Sequence, residues 1–361
     1  MKAKHVILYL LLAIVSFSCI GEEALNAEAD ILSCALPGVA MTTSPIINNN
    51  SITIFVGPGT DISELKPEFT LTPGAAISPL SGTERNFNTP QEYTVTAADG
   101  VWKKMYTVSV IDTELATNYN FEDTLGGKKY YIFVEREGGK VVMEWASGNA
   151  GYAMTGVAKT ADDYPTFQIT DGKAGKCLSL VTRSTGFFGQ IAGMPIAAGN
   201  LFIGSFDVNN AMSNPLKATK FGLPFRHVPT YLAGYYKYKA GDQFTEGGKP
   251  VNGKRDICDI YAIMYETSES VPTLDGTNAF TSPNLISTAR INNAKETNEW
   301  TYFKLPFTTL PGKFIDKEKL MDGKYNIAIV FTSSLEGDHF NGAIGSTLLI
   351  DEAELIYHSE D

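Results

Sequence analysis

The chain has 361 residues, with 29 Lys and Arg residues against 40 Asp and Glu residues and a formal net charge of −11. This balance argues against a nucleic-acid ligand, because phosphate neutralisation needs a basic surface and no local basic run supplies one. The length suffices for two or three domains with substantial cores, and the 33 Gly, 17 Tyr and 20 Phe residues favour an all-β chain.

The first residues have the features of an export signal. Lys2 and Lys4 precede an apolar run that is too short and too close to the start for a membrane span. The Ser-Phe-Ser sequence before Cys19 resembles a bacterial lipobox, in which the cysteine becomes the lipid-modified first residue. We expect a signal peptide over residues 1–18, lipidation at Cys19, and a tether over residues 19–28. This predicts an exported protein, lipid-anchored at the outer membrane or cell surface; a secretory signal with an incidental cysteine is the alternative.

The pattern of the remaining cysteines predicts free thiols that are buried. Cys34, Cys177 and Cys258 are odd in number and lack C-x-x-C spacing. The last two lie in strand-like runs, where a buried thiol behaves as a small apolar group. We therefore expect no disulfide and no cofactor held by cysteine.

Residues 29–113 are predicted to form a compact first domain of short strands. Alternating apolar residues bounded by turn residues indicate strands at residues 31–36, 51–56, 69–72, 92–97 and 104–111. The last two flank Ala-Asp-Gly, which favours a hairpin. The segments ISPLSGTERNF and YTVTAADGVWKKMYTVSV resemble the immunoglobulin-like domains that precede the working domain in exported lipoproteins, so the resemblance implies a spacer.

Residues 114–361 are predicted to form a second, larger β domain. The predicted strands are residues 119–123, 130–134, 140–145, 176–183, 199–208, 231–238, 256–266, 301–307, 325–331 and 346–357. The closing strand needs an earlier partner, and residues 119–123 are the best candidate. This number of strands predicts a sandwich of about eight to ten strands.

Four blocks in this second domain carry a family resemblance. In chain order they are WASGNAGY, AAGNLFIGSFD, FGLPFRHVPTYLAGYYKYKAGD and SSLEGDHFNGAIGSTLLIDEAEL. Together they resemble the putative carbohydrate metabolism domain of outer-membrane lipoproteins in gut-dwelling Gram-negative bacteria. The resemblance implies a jelly-roll β-sandwich like that of carbohydrate-binding modules, with a role in glycan metabolism and no agreed catalytic residues.

Two neighbouring strands supply the main sugar-binding candidates. Strand alternation places Tyr235 and Lys237 on one face, where a ring can stack on a pyranose and a cation can bond its hydroxyls. Arg226 lies between two prolines that stiffen its segment. Asp259 and Tyr261 face away from the core side of their strand, and we expect them beside Lys237. A solvated strand with an extended lysine is the alternative.

Two further residues join this list. Trp145 begins a glycine-rich loop and is a candidate exposed sugar platform. Asp256 matches a polar residue at the start of a strand in the family pattern. The sequence thus predicts a protein that binds polysaccharide or oligosaccharide.

Two other functions stay open. A glycoside hydrolase needs two carboxyl groups that flank the glycosidic bond, and Glu336 and Asp338 on a glycine-containing loop are candidates. An adhesin or assembly subunit would instead show a flat apolar patch. Glu122 and Asp351, from the first and last strands of the domain, could clamp a structural Ca²⁺. No catalytic metal is predicted.

Overall fold

A computed structural model describes residues 26–42 and 44–358. The predicted signal peptide, Cys19 and most of the tether lie outside these residues. Within the described ranges the chain is nearly all β, which confirms the predicted fold class. No helix in this part of the chain is both long and apolar enough to cross a membrane.

The first domain is a small sandwich. Its strands are β1 (Ile31–Ala35), β2 (Ile46–Asn48), β3 (Ser51–Phe55), β4 (Glu68–Leu71), β5 (Ala76–Ser78), β6 (Gln91–Thr96) and β7 (Lys103–Ile111). One sheet has the order β2-β3-β7-β6-β5, and β1 pairs with β4. The predicted hairpin is present, because Thr96 pairs with Lys103. Alternate residues of β3 and β6, such as Ile52, Ile54 and Val95, are fully buried in its core.

The second domain begins after this sandwich and contains the remaining strands and all the described helices. Its strands are β8 (Asn118–Tyr119), β9 (Val134–Glu137), β10 (Lys140–Glu144), β11 (Thr166–Ile169), β12 (Cys177–Val181), β13 (Arg183–Ser184), β14 (Ile196–Ala197), β15 (Asn200–Phe202), β16 (Gly204–Phe206), β17 (Thr219–Phe221), β18 (Leu223–Pro224), β19 (Val228–Lys239), β20 (Phe244–Glu246), β21 (Lys249–Pro250), β22 (Asp259–Glu266), β23 (Leu274–Asp275), β24 (Leu285–Arg290), β25 (Thr297–Pro306), β26 (Thr308–Thr309), β27 (Tyr325–Thr332), β28 (Gly342–Ala343) and β29 (Thr347–His358). The α-helices are α1 (Asn149–Ala153), α2 (Gly186–Ile191), α3 (Asn210–Ser213) and α4 (Lys317–Met321). Single 3₁₀ turns occupy Ala161–Asp163, Pro215–Lys217 and Gly337–His339.

Two antiparallel sheets form the jelly-roll sandwich. The back sheet has the order β11-β12-β29-β19-β25, with β8 added beside β29. The front sheet has the order β15-β27-β22-β24-β26, with β18 added beside β27. Tyr119 pairs with Ala353, so the closing strand meets the segment that the sequence analysis assigned to it.

The core lies between these two sheets and follows the alternation of the strands. Leu232, Tyr236 and Tyr238 of β19 point into it from the back sheet, and Ile260 and Ala262 of β22 point into it from the front sheet. Each fully buried side chain of leucine size contributes about 2 kcal/mol, so this cluster of facing apolar residues accounts for the adhesion of the sheets.

The front sheet is also buried on its outer face. Tyr261, Ile263 and Tyr265 of β22 pack there against Phe202 and Phe221. A third layer, the small sheet with the order β16-β17-β23, lies against the outer face of the front sheet and contributes residues to this second apolar cluster. The strand β22 is therefore apolar on both faces, as expected for a central strand covered on two sides. This third layer encloses the cleft described next.

Candidate functional site

A cleft of about 380 Å³ lies over the outer face of the front sheet. Its walls come from α1, α2 and α3, from the segment after β23, and from the loop after β27. This volume falls in the usual range for small-molecule sites, which are concave and mostly apolar with a few polar groups. The cleft is thus the first candidate for a binding site.

The floor of the cleft is one cross-strand row of the front sheet. Phe202 pairs with Val330, Val330 pairs with Tyr261, and Tyr261 pairs with Arg290. All four residues line the cleft. Neighbouring strands are about 4.8 Å apart, so the row runs roughly 14 Å from Phe202 to Arg290. It is apolar at the Phe202 end and charged at the Arg290 end.

At the charged end, Arg290 binds Asp259 with two nitrogens. Arg290 Nε lies 2.9 Å from Asp259 Oδ2, and Nη2 lies 2.6 Å from the same oxygen. The Asp259 side chain is only 5% exposed, whereas that of Arg290 is 39% exposed. Burial raises the pKa of Asp259, the hydrogen bonds from Arg290 oppose this, and the charge of Asp338 adds to the rise. The pair therefore fixes the guanidinium at the edge of the cleft.

Two aromatic rings hold the same guanidinium. Arg290 Cζ lies 4.5 Å from the centroid of the Phe280 ring and 5.6 Å from that of Tyr261. The two ring centroids are 4.9 Å apart. Among the described residues, no group bonds the other terminal nitrogen, Nη1. The arrangement offers a preorganised donor beside aromatic surfaces.

Asp256 fixes the loop that forms one wall. It is 4% exposed, and its Oδ2 accepts bonds from Ser334 Oγ at 2.6 Å, Ser346 Oγ at 2.6 Å and the Ala343 amide at 2.8 Å. A Cβ at Gly342 would lie 2.7 Å from Ser334 Oγ, so glycine allows the close approach. Asp256, predicted as a ligand-binding residue, is thus buried, faces the loop and does not line the cleft, so a contact between Asp256 and a ligand stays a prediction.

The structure separates the other predicted ligand-binding residues. Asp259 and Tyr261 line the cleft. Tyr235 and Lys237 lie on the outer face of the back sheet, where Lys237 Nζ lies 4.8 Å from the ring centroid of Trp300. The expected neighbourhood of Asp259 and Lys237 is therefore wrong, because their strands belong to different sheets. A contact between these two residues, Tyr235 and Lys237, and a ligand stays a prediction.

Two predicted residues lie elsewhere. Trp145 is 3% exposed, its Nε1 donates to Glu135 Oε1 at 2.9 Å, and its ring packs against Tyr119. Its prediction as an exposed platform is wrong, because the sheets bury the ring. Arg226 Nε donates to the Met321 carbonyl oxygen at 3.2 Å, away from the residues that line the cleft.

The candidate carboxyl pair on the loop after β27 is also divided. Asp338 lines the cleft, and its Oδ1 lies 2.7 Å from His339 Nδ1. Glu336 is outside the lining and forms an ion pair with Lys254 at 2.7 Å. The carboxyl group that accompanies Asp338 in the cleft is Asp259.

The two carboxylates proposed for Ca²⁺ bind main-chain groups of one turn. Glu122 Oε1 accepts from the Lys176 amide at 2.7 Å, and Asp351 Oδ2 accepts from the Ala174 amide at 3.0 Å. Within the described residues, no group of three or more His, Cys, Asp or Glu residues could hold a metal ion. Their visible role is to fix this turn.

Sequence reasoning missed Arg290 and Phe280. The segment LISTAR, which ends at Arg290, has its apolar and polar residues in pairs and does not alternate as a half-buried strand does. The burial of Asp259, which requires a cationic partner, is visible only in the structure. Sequence reasoning therefore had no clear signal for the arginine. No periodic pattern marks Phe280 either, because it lies in an irregular segment whose position depends on the third layer.

Two family models match the chain. Residues 120–356 match the putative carbohydrate metabolism domain, and residues 31–110 match the SGBP N-terminal domain. A search of curated proteins finds no significant match.

Solved structures include two similar chains. A putative glycoside hydrolase from Bacteroides thetaiotaomicron is 87% identical, with a TM-score of 0.91, and the match covers 94% of this chain and 99% of that one. A putative glycoside hydrolase from Bacteroides vulgatus is 47% identical, with a TM-score of 0.64, and the match covers 68% of this chain and 99% of that one.

Proposed function

We propose that this chain, which belongs to the putative carbohydrate metabolism domain family, binds glycans in the cleft over the front sheet. We also propose that it does so as a lipid-anchored protein of the outer membrane or cell surface. The family description supports a role in carbohydrate metabolism. The SGBP match of the first domain supports a location at the cell surface. The lipobox-like sequence before Cys19 supports the anchor.

The single observation that carries the proposal is the setting of Arg290. Its guanidinium is bonded to the buried Asp259 and lies beside the rings of Tyr261 and Phe280. Aromatic rings pack against the apolar C–H face of a pyranose, and a fixed guanidinium donates hydrogen bonds to hydroxyl oxygens. Because the guanidinium is already held in place, little conformational entropy is lost when a sugar binds.

A glycan array of plant, host and microbial polysaccharides tests the proposal, with soluble protein that begins at Asn26. We expect binding, with affinity at least tenfold weaker in Arg290→Lys because lysine cannot keep the bidentate and stacked contacts. Arg255→Lys is the matched control, since Arg255 also binds a carboxylate through Nε and Nη2 but lies outside the cleft. No binding to any glycan would overturn the proposal and favour an adhesin or assembly role.

A second candidate function is glycoside hydrolysis by Asp338 and Asp259. Both carboxyl groups line the cleft, and the charge of Asp338 raises the pKa of Asp259. Hydrolases place two such groups roughly 5–10 Å apart. Binding is favoured because both oxygens of Asp259 accept bonds from Arg290, which leaves this group poorly placed for proton transfer. Release of reducing ends from an array-positive polysaccharide, abolished in Asp338→Asn, would instead support hydrolysis.

A further inference from the structure

We propose that the ligand of the cleft is an acylated glycan, with the sugar at the Arg290 end and an ester-linked acyl group at the Phe202 end. This inference rests on the proposed function and adds the class of sugar. Its basis is that one end of the cleft is charged and the other end is apolar.

The charges of the cleft are confined to one end. Among the described residues that line it, the charged ones are Asp259, Arg290 and Asp338. Asp259 and Arg290 are bonded to each other, and Asp338 acts on Asp259 through its charge. The donors and acceptors that suit a sugar ring are therefore grouped around Arg290.

The rest of the cleft carries no charged side chain and several large apolar ones. Phe206 ends β16, Met212 lies in α3, and Phe188 lies in α2. The chain is tightly packed at this end, since a Cβ on Gly151 would lie 3.2 Å from the Phe206 ring. Phe188 and Met212 are 74% and 51% exposed, so they form an apolar rim that a ligand can cover.

The polar side chains near this end are already bonded to the main chain. Thr155 Oγ1 donates to the Tyr152 carbonyl oxygen at 2.7 Å, and Tyr152 OH donates to that of Ser184 at 2.9 Å. Asn200 Oδ1 accepts from the Gly148 amide at 2.8 Å, and its Nδ2 donates to the Ala198 carbonyl oxygen at 3.2 Å. A ligand hydroxyl placed here would lose its water contacts and find few replacements, which is unfavourable.

An acyl group fits this surface better than a second bare sugar. It brings apolar carbon and no hydrogen-bond donor, so its burial leaves no donor unpaired. The row from Phe202 to Arg290 spans roughly 14 Å, which is long enough for a sugar ring followed by a substituent. The cleft would accordingly discriminate between esterified and de-esterified forms of one polysaccharide.

Titration calorimetry with two pairs of probes tests this inference. The probes are acetylated arabinoxylan and acetylated glucomannan, each compared with the same polymer after mild alkaline removal of its acetyl esters. We expect at least one esterified polymer to bind tenfold or more tightly than its de-esterified form. In a Phe188→Ser, Met212→Ser double variant, this ratio should fall to about twofold or less. Phe314→Ser is the control for an exposed phenylalanine, because Phe314 is 73% exposed and lies outside the cleft.

Failure of this inference is distinguishable from failure of the proposed function. Equal affinity for both forms, with binding weakened by Arg290→Lys, would overturn the acyl group and leave glycan binding in the cleft intact. No binding of either esterified polymer would also overturn the acylated class. Affinity that Arg290→Lys leaves unchanged would overturn the cleft itself as the site.

Discussion

The two outer faces of the sandwich present similar residues in different settings. On the front sheet, Tyr261 is 8% exposed, and Arg290 is fixed by a buried aspartate within a cleft. On the back sheet, Tyr302 is 53% exposed, and Lys237 lies over the ring of Trp300. Among the residues that the structure describes, the front face alone combines enclosure with a cation held by a carboxylate. A ring and a cation on one strand face therefore do not define a site without the covering layer and the carboxylate partner that position them.

The difference is also one of conformational freedom. The guanidinium of Arg290 is planar and bonded through two nitrogens, whereas Lys237 carries a flexible chain with a single ammonium group. Binding a ligand orders a lysine at greater entropic cost than an arginine that is already fixed. We therefore expect ligand affinity to depend on the front face, and three of the four predictions below test that expectation.

The largest effect is expected for Asp256→Ala. Three donors lose their buried acceptor, so the free energy of unfolding should fall by roughly 3–5 kcal/mol, as measured by urea denaturation. Binding in the cleft should weaken because the loop wall is released. Asp351→Ala is the counterpart on the back sheet, where the aspartate fixes the turn at Ala174. It should lower stability but leave affinity unchanged. An equal loss of affinity in both variants would contradict the difference expected between the two faces.

The next effect is a dependence of stability on pH, and it arises at Glu135, which lies on neither outer face. Burial raises the pKa of Glu135 from 4.5 to about 7. The folded state therefore favours the protonated group: this stabilisation is complete below pH 4.5 and is lost as pH rises through about 7. Glu135→Gln should be more stable than the wild type by roughly 2–3 kcal/mol at pH 8, and the difference should shrink toward acid pH. Unfolding curves across this range provide the measurement, and a difference independent of pH would contradict it.

A pair of aromatic variants compares the two faces directly. Phe280→Ala should weaken glycan binding about tenfold, because one of the two rings beside Arg290 is lost. Tyr302→Ala should change affinity by less than about twofold, which lies within the usual scatter for surface substitutions. Titration calorimetry with the best array ligand measures both. If Tyr302→Ala caused the greater loss, the back face would be the binding surface.

The smallest effect is expected for Lys237→Ala. Its contact with Trp300 is partly exposed, so the free energy of unfolding should change by no more than about 0.5–1 kcal/mol. Affinity should also stay at the wild-type value, as measured on the same ligand. A clear loss of affinity with unchanged stability would restore Lys237 as a ligand-binding residue.

Much of the fold could be predicted from alternation along the strands. The inward set of β22, including Ile260 and Ala262, follows directly from a period of two, and so does the outward position of Asp259. The pairing of the last strand with Tyr119 could be predicted because a closing strand needs a partner. In β22 the alternation of residues is enough for the prediction, and at the last strand the need for a pairing partner is enough.

The site could be predicted only in part. Asp259 and Tyr261 were identified because their strand is regular, but alternation does not say which sheet a strand joins, so Lys237 was placed beside them wrongly. The strand that carries Arg290 was missed because its segment does not alternate between polar and apolar residues. The apolar wall around Phe188 depends on how loops fold over the front sheet, and no periodic pattern records that arrangement.

The most direct measurement is a crystal structure of the protein with an oligosaccharide from the polysaccharide that binds best on the array. The account predicts a sugar in the front cleft, packed against Tyr261 or Phe280, with a hydroxyl oxygen about 3 Å from Arg290 Nη1. A sugar bound to Tyr302 and Trp300 on the back sheet, with an empty cleft, would contradict it.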